Sequence, residues 1–501
     1  MSIDEMQVPV VIAGGHAIER EAIVTTEDLC ERAARAALDA APRLADRIQR
    51  VSVVSTVFSP SSPRGATELG ERLGLAAGDR ETSTVGGNTP QWLVTRAAEQ
   101  ISRGELAVTL LAGAESTRSA RSSGEQDRLF RRREELADVA DPVVGASSDG
   151  MLSAAEMVQQ LWQPAHVYPL FESAMAARAG RTFAEQRAFL GRMLAPFTEA
   201  AARHPYAWFR DTATPDELAT PTPENRVTAE PYTKRMNAFP NVDLGAALIV
   251  CSLAEARRAG LADRAVFVWS GADAAEVLAP TARPHLASSP GIAAATSRAL
   301  EAAGVGVDDI ARFDFYSCFP SAVQAAAEAV GIAVDDRRGL TVTGGLPYFG
   351  GPGNNYPMHS IATMIDLLRS ELGLALVTGL GGFITKHAAG IYGSEPPPAG
   401  FRRGDTSADQ RAIDASAIPL AVDDAAGGAT VDASTVVYAS DGSVESVPVI
   451  ARLDDGRRVA AKAHPGELAG LAGQSLVGAR IQVDGSPATF RVESEPALAG
   501  R

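Results

Sequence analysis

Three groups of residues combine polar side chains with small or glycine residues in a way that could bind an oxygen atom. Asn88 lies in the turn Glu81 to Gln91, which opens a helix, so its amide either caps that helix or contacts a ligand. Tyr316 follows a predicted strand, and its phenol either donates a hydrogen bond or packs in the core. Gly381 and Gly382 either offer backbone N–H groups to a ligand oxygen or form a plain tight turn.

An alternation of strands and helices would position these residues. Short apolar runs at Val8 to Ala13 and Val51 to Val57 flank a helical segment, and the same rhythm continues to a strand at Val108 to Leu111. A second set of strands and helices in the same order follows from Ala265 onward. The sequence therefore predicts an α/β fold of two similar βαβ halves on a mainly parallel sheet.

The composition between and after these halves divides the chain further. From about residue 121 it shifts toward charge, Pro and aromatics, which predicts an inserted helical loop domain over a site; its charged run Glu125 to Arg133 is interpreted as a solvated helix face. Pro396 to Gly400 begins a linker, and later Asp-Gly pairs between alternating runs predict a small, OB-like β-barrel. The predicted regions are 1–120 (first half), 121–240 (insertion), 241–395 (second half, with the last strand of the first half near 243–252), 396–429 (linker) and 430–501 (barrel).

Composition argues against several classes of protein. The chain has 501 residues, of which 46% are hydrophobic and 21% charged, so it can bury a large core. A formal charge of -15 argues against nucleic acid as a partner. Three cysteines without metal-ligand spacing argue against a disulfide framework or a metal site. The acidic N-terminus and the lack of an apolar run of about 18 residues predict a cytoplasmic protein without a membrane span.

The order of several short motifs resembles the thiolase superfamily, in particular sterol-carrier-protein-2 type thiolases and actinobacterial thiolase-like proteins with an added C-terminal domain. The motifs are Gly86 to Gln91, Ala112 to Ser116, Asp243 to Ala247, Tyr316 to Phe319, the Gly-rich run to His359, and Gly379 to Gly382. The resemblance implies the thiolase fold, acyl-CoA or CoA as substrate or ligand, no other cofactor, and a homodimer. The added C-terminal domain suggests docking of a protein partner.

The resemblance also assigns residues to the positions of the two thiolase cysteines. In thiolases a cysteine at a helix N-terminus carries the acyl group, and Asn88 takes that position here. The acid-base cysteine of the family falls on Gly379, so both sulfurs are absent from their usual places. Tyr316 falls where related thiolases place an Asn or His that holds a water for the oxyanion hole. Retro-aldolases of the superfamily are similar to this chain in placing a Tyr there.

The histidine of the thiolase Gly-His-Pro motif has two candidate equivalents. His359 resembles it in sequence context but lacks the following proline, whereas Tyr356 takes its place if Pro357 is the anchor. A third interpretation makes His359 a buried histidine that the backbone satisfies. The predicted catalytic residues are His359, Tyr316 and Asn88, and the predicted substrate-binding residues are Gly381, Gly382 and Tyr356.

Other polar residues have weaker interpretations. Cys318 is either a substitute nucleophile or an inert buried thiol. Lys386 and His387 are predicted to be structural or exposed rather than catalytic. Basic residues of the insertion either meet CoA phosphates or form a solvated face: Arg178, Arg181, Lys234 and Arg235.

These assignments lead to three functional hypotheses. The first is an enzyme that acts on C–C bonds of acyl-CoA thioesters without a covalent intermediate, with retro-aldol cleavage favoured because it needs an acid-base group and a stabilised enolate. The second is a non-catalytic acyl-CoA-binding or scaffold protein that has lost the chemistry. The third is a conventional acetyl-CoA acetyltransferase of lipid metabolism.

Overall fold

The computed structural model describes residues 4–124, 139–422 and 424–494. The predicted solvated helix face Glu125 to Arg133 lies outside the described residues. The remaining chain builds one large mixed sheet with helices on its faces, an inserted helical region and a closed C-terminal barrel. This confirms the predicted α/β fold class with its inserted region and small barrel.

The large sheet has eleven strands in the order β10-β11-β12-β9-β1-β8-β4-β2-β3-β5, with β13 paired to β9. Neighbours pair in parallel at both ends, for example β2 with β4 and β10 with β11, and antiparallel in the middle. The strands are β1 Pro9–Ile18, β2 Arg50–Val53, β3 Asp79–Ser83, β4 Val108–Ser116, β5 Val143–Val144, β8 Asp243–Ser252, β9 Val266–Ala275, β10 Ile310–Asp314, β11 Leu374–Gly381, β12 Lys386–Gly393 and β13 Arg402–Arg403.

Helices cover the sheet and form the insertion. They are α1 Thr26–Ala40, α2 Gly65–Leu73, α3 Thr89–Ser102, α4 Thr117–Ser123, α5 Ala154–Val158, α6 Pro164–Arg178, α7 Phe183–Arg203, α8 Pro215–Ala219, α9 Leu253–Arg258, α10 Pro290–Ala303, α11 Pro320–Val330, α12 Gly345–Tyr348, α13 Tyr356–Ser370 and α14 Ser407–Asp414. Helices α5 to α8 belong to the insertion, as its composition predicted.

Two glycines on β1 let helices pack closely on both faces of the sheet. A Cβ on Gly14 would lie 2.9 Å from Cβ of Ala362 on α13, and a Cβ on Gly15 would lie 2.1 Å from the carbonyl oxygen of Ala33 on α1. Neither distance leaves room for a side chain. Helices α1 and α13 therefore lie directly against opposite faces of β1.

The predicted strand Val51 to Val57 ends earlier in the structure. Strand β2 stops at Val53, and the following backbone turns toward the buried carboxylate of Glu115. The N–H groups of Val57 and Ser59 donate to that carboxylate at 2.6 and 2.9 Å. Leaving the buried carboxylate without hydrogen-bond donors would cost more free energy than the strand hydrogen bonds that are given up after Val53.

The C-terminal barrel is closed by five strands in the order β14-β17-β18-β20-β19. The second small sheet, β16-β15-β6-β7, joins the barrel region to the insertion through the pair Val437 and Ala229. Glycines at 442, 456 and 485, all with φ between 85° and 90°, form the predicted Asp-Gly turns between successive strands. The strands are β6 Val227–Ala229, β7 Tyr232–Thr233, β14 Gly427–Ser434, β15 Val437–Tyr438, β16 Val444–Ser446, β17 Pro448–Leu453, β18 Arg458–Ala463, β19 Arg480–Asp484 and β20 Thr489–Ser494.

The segment predicted as a linker is fastened to the large sheet. Arg402 of β13 pairs with Ser270, and Asp409 of α14 forms an ion pair with Arg298 at 2.8 Å. The prediction that residues 396–429 form a linker is therefore wrong for residues 402–414. Backbone pairing and an ion pair attach this stretch to the large sheet and to α10. Within the described residues, every helix is too short or too polar to cross a bilayer.

Candidate functional site

Asn88 lies at the start of α3, with its side chain turned away from the helix. Its amide makes no capping hydrogen bond, and Oδ1 is buried without a partner in the described chain. A Cβ on Gly86 would lie 2.3 Å from this oxygen, and one on Gly381 would lie 2.5 Å from it. Only glycine at both positions leaves room for the amide, and an unsatisfied buried acceptor indicates a place for a hydrogen-bond donor.

Tyr316 reaches the same turn from the end of β10. A Cβ on Gly87 would lie 2.4 Å from its hydroxyl oxygen, and that hydroxyl donates a long hydrogen bond of 3.4 Å to the carbonyl of Gly353. Burial raises the pKa of Tyr316 well above its ordinary value, so the phenol stays protonated at neutral pH. The structure thus brings Asn88 and Tyr316 against the same Gly86-Gly87 backbone.

Tyr356 is the first residue of α13 and packs edge-on against Tyr316, with ring centroids 5.6 Å apart. Its hydroxyl lies 2.6 Å from Oγ1 of Thr343 and donates to the buried carboxylate of Asp314 at 3.1 Å. Tyr356 therefore meets the Asn88 and Tyr316 region through its ring, while its hydroxyl is bound on the far side.

His359 lies one turn farther along α13 and belongs to a different cluster. Its Nδ1 is 2.9 Å from Nδ1 of His16 on β1, and the ring of His16 stacks on Tyr206 at 4.7 Å. Burial lowers the pKa of His359 well below its ordinary value, and the neighbouring His16 and His204 lower it further. Among the described residues, His359 contacts His16 and Phe349 and makes no hydrogen bond or ring contact with Asn88 or Tyr316, so it lies apart from the other two predicted catalytic residues.

The backbone of β11 occupies the space beside α3. A Cβ on Gly379 would lie 2.9 Å from both Cα of Asn88 and the carbonyl oxygen of Gly87. The carbonyl of Gly382 accepts a hydrogen bond of 2.7 Å from Tyr168 of the insertion. Of the predicted glycines, Gly381 thus lies against Asn88, and Gly382 is held by the insertion.

A short segment of the insertion, residues 146–151, covers the outer side of this turn. Lys386 donates to the carbonyl of Val85 at 2.6 Å and to Oγ of Ser148 at 2.8 Å. A Cβ on Gly382 would lie 2.6 Å from Sδ of Met151. The void that borders Tyr316 has a volume of about 10 Å³, enough for one water at most. This void is lined by residues of α10, α11, β11 and β12 and lies apart from the covering segment.

Cys318 does not have the surroundings of a reactive thiol. It is buried, and burial raises the pKa of its thiol to about 12. Thiolate character is what makes a cysteine nucleophilic, so the interpretation as an inert buried thiol fits better. Lys386 and His387 are both buried, at 3% exposure each. The guanidinium of Arg178 pairs with Glu328 at 2.5 Å, whereas Lys234 is exposed.

Several residues of the site were not predicted from sequence. Asn354 accepts from the N–H of Gly86 at 3.0 Å and donates to the carbonyl of Ser55 at 2.7 Å, which fixes the turn before α3. Asn355 donates to the carbonyl of Gly113 at 2.6 Å. The sequence did contain a signal for Asn354 and Asn355, because two adjacent asparagines in a glycine-rich run are typical of a loop that binds backbone or ligand groups. No such signal marks Tyr168 or Met151, whose contacts join distant parts of the chain.

Comparison with known proteins agrees with this description. A family model for the additional C-terminal domain of thiolase-like protein type 1 matches residues 410–486. No curated protein matches the chain. The solved structure of an SCP2-thiolase-like protein type 1 from Mycobacterium smegmatis, described as monomeric, is 30% identical, covers 98% of this chain and 100% of its own, and has a TM-score of 0.84.

Two more distant structures share the fold alone. The Ltp2-ChsH2(DUF35) aldolase is 18% identical, with coverage of 77% of this chain and 98% of its own and a TM-score of 0.59. The dimeric peroxisomal thiolase of Saccharomyces cerevisiae is 15% identical, with coverage of 79% and 99% and a TM-score of 0.55. The predicted resemblance is confirmed: the chain belongs to the family of SCP2-thiolase-like proteins of type 1.

Proposed function

We propose that the protein binds an acyl-CoA thioester at the start of α3 and cleaves a 3-hydroxyacyl thioester by a retro-aldol reaction. The observation that carries this proposal is the unpartnered, buried Oδ1 of Asn88 beside the hydroxyl of Tyr316. Each group can make a hydrogen bond to a substrate that has both a hydroxyl and a thioester carbonyl. Neither group can form a covalent acyl intermediate as a thiolate would.

The roles of the two residues follow from their chemistry. In the bound substrate Asn88 Oδ1 accepts the hydrogen bond of the β-hydroxyl, beside the protonated phenol of Tyr316; as the reaction begins, the β-hydroxyl turns its proton to the phenol oxygen. When the bond between C2 and C3 breaks, its electron pair forms the enolate of the shorter thioester. Tyr316 takes the β-hydroxyl proton as it passes its own proton to C2, so the phenol is regenerated and the products are an aldehyde and an acyl-CoA.

The N-terminus of α3 favours the same reaction. The helix dipole stabilises negative charge at the N-terminal end of α3. The N–H of Thr89 already donates to the carbonyl of Gly86 at 3.0 Å and Pro90 has no N–H, so the dipole itself would stabilise an enolate oxygen that develops at this end. The glycines at 86, 87 and 381 allow the ligand and the backbone to approach closely.

Mass spectrometry of CoA products tests the proposal directly. The protein is mixed with 3-hydroxyacyl-CoA thioesters of several lengths, or with 3-oxoacyl-CoA thioesters plus CoA. We expect shortened acyl-CoA and aldehyde from the hydroxy series, with kcat/KM reduced about 100-fold or more in Tyr316→Phe. The matched control is Tyr348→Phe, since the buried hydroxyl of Tyr348 has no partner in the described residues and its removal should leave activity unchanged.

The opposite results identify other chemistries. Full activity in Tyr316→Phe would refute the role of that phenol. Shortening of the oxo series would mean a thiolase reaction, for which the structure offers no thiol at the start of α3. A loss of activity in Tyr316→Phe should not come from unfolding. The hydroxyl of Tyr316 makes one hydrogen bond of 3.4 Å in the described chain, so its removal should lower the free energy of unfolding very little.

A second candidate function is non-catalytic binding of acyl-CoA, with the protein as a scaffold. The observation that favours it is that residues 88 and 379, which the resemblance assigns to the two thiolase cysteines, are an asparagine and a glycine, so neither position carries a thiol. Calorimetric titration with a thioether analogue of acyl-CoA separates the two candidates. Binding without turnover of any thioester would support the scaffold, whereas turnover of the hydroxy series would exclude it.

A further inference from the structure

Lysine is rare in this chain. Of the 46 Lys and Arg residues, only Lys234, Lys386 and Lys462 are lysines. Arginine supplies nearly all other cations, and arginine cannot be deprotonated under ordinary conditions. A buried lysine, unlike an arginine, can lose its proton near neutral pH, and its neutral amine can then act as a nucleophile.

Lys386 begins β12 and is 3% exposed. Its Nζ donates to the carbonyl of Val85 at 2.6 Å, to Oγ of Ser148 at 2.8 Å and to the carbonyl of Ala146 at 3.4 Å. All three acceptors are neutral, so no carboxylate among these contacts stabilises the ammonium form. Burial lowers the pKa of Lys386 to about 8, which leaves a useful fraction of free amine near neutral pH.

The amine and the unpartnered amide of Asn88 line the same space. A Cβ placed on Gly86 would lie 2.3 Å from Asn88 Oδ1 and 3.3 Å from Lys386 Nζ. That space lies at the start of α3, where the helix dipole favours a negatively charged oxygen. A nucleophilic amine and an unpartnered hydrogen-bond acceptor thus lie on either side of Gly86.

We propose that Lys386 is an acyl acceptor, which is modified by a short acyl thioester bound at the start of α3. The amine lone pair attacks the thioester carbonyl, a C–N bond forms, and the C–S bond breaks with its electron pair on the departing thiolate. The thiolate takes up the proton that the nitrogen loses. The products are an Nε-acyl-lysine and free CoA, with no oxidant or further reactant.

The modification has a structural consequence at the cover. An acylated nitrogen has no charge and a single N–H, so it can keep at most one of its contacts with Val85, Ala146 and Ser148. The tie between β12 and the covering segment 146–151 is weakened. Because an amide is stable, the reaction occurs once per chain and changes access to the site instead of turning over.

The test uses the full chain, acetyl-CoA as the probe, and peptide mapping of the lysines by mass spectrometry. We expect one acetyl group per chain, on Lys386, with a rate about tenfold higher at pH 9 than at pH 7, because the neutral fraction of an amine with a pKa near 8 rises by that factor. Lys386→Arg and Lys386→Met should both abolish it, and Lys234→Arg, an exposed control, should not change it.

The proposal rests on the acyl-thioester binding of the proposed function, and the outcomes separate the two. Binding of a thioether analogue of acetyl-CoA without acetylation of Lys386 would overturn this inference alone. Equal acetylation of Lys234 and Lys462 would overturn it as well, because that pattern is unselective chemistry. No binding of the analogue would overturn both, whereas acetylation of Lys386 without cleavage of hydroxyacyl thioesters would support this inference and refute the retro-aldol reaction.

Discussion

A cysteine at residue 379, the position that the resemblance assigns to the acid-base cysteine of thiolases, should destabilise this protein. In Gly379→Cys the new Cβ would lie 2.9 Å from Cα of Asn88 and 2.9 Å from the carbonyl oxygen of Gly87. Ordinary contacts between such atoms begin near 3.5 Å, and both atoms are backbone at the start of α3. Relief therefore requires a shift of either α3 or β11, two elements packed in the core.

The expected magnitude follows from that geometry. Insertion of side-chain atoms into a packed core typically costs about 1 to 3 kcal/mol of the free energy of unfolding, and a clash with backbone on both sides belongs at the upper end. We therefore expect a loss of about 3 kcal/mol for Gly379→Cys. The matched control is Gly78→Cys, since Gly78 is exposed and a Cβ there has no heavy atom within 4 Å.

Residue 88, the position that the resemblance assigns to the nucleophilic cysteine, should behave differently. Asn88→Cys removes an amide that makes no cap hydrogen bond and leaves no buried acceptor unpaired, so we expect a change within about 1 kcal/mol. The helix N-terminus should also hold the pKa of the new thiol below its usual value of about 8.5. A thiol can thus be restored at residue 88 but not at residue 379 without damage.

Urea denaturation of the three variants beside the unmodified protein measures these differences. A lower midpoint for Gly379→Cys, with Gly78→Cys and Asn88→Cys close to the unmodified protein, is the expected result. If Gly379→Cys unfolded at the same urea concentration as Gly78→Cys, β11 would lie farther from α3 than described, and the close backbone contact would be refuted.

Two further predictions concern charge. Burial, together with the nearby charge of Arg283, lowers the pKa of His387 to about 3. Below pH 6.5 the unfolded chain therefore binds a proton at this histidine that the folded chain does not bind. The free energy of unfolding should fall by about 2 kcal/mol between pH 7 and pH 5. His387→Gln should flatten the stability profile by that amount, and the exposed control His285→Gln should follow the unmodified protein. Arg458→Met removes a fully buried guanidinium of the barrel and should cost about 3 kcal/mol. Arg480→Met, at an exposed ion pair of the same barrel, should cost at most about 1 kcal/mol in the same urea titration, and equal losses would refute the difference.

Much of the fold could be predicted from sequence because it depends on local patterns. Alternating apolar runs set the strands, and the Asp-Gly pairs at 441, 455 and 484 set the turns of the barrel. The attachment of residues 396–429 could not be predicted, since it depends on the pairing of Arg402 with Ser270 across the chain. Proline-rich composition describes how a segment begins and says little about what it later contacts.

The site was partly predictable for the same reason. The glycines around Asn88 mark a close approach of backbone, and the structure has Gly381 and Tyr316 at that turn. The choice between Tyr356 and His359 depended on where α13 begins, and a shift of three residues moves a side chain by almost a full helical turn. The cover by Ser148 and Met151 could not be predicted, because isolated loop residues form no periodic pattern that would indicate their contacts.

In the alignment that the resemblance implies, the loss of both sulfurs changes the shape of the site as well as its chemistry. At residue 379, which the resemblance assigns to the acid-base cysteine of thiolases, a side chain would lie 2.9 Å from backbone atoms of Asn88 and Gly87. What remains near the start of α3 is an amide oxygen without a partner, a protonated phenol and a lysine with a lowered pKa. Such a set favours reactions in which the thioester oxygen or the departing proton is handled by hydrogen bonds, and it directs any covalent acyl transfer to nitrogen.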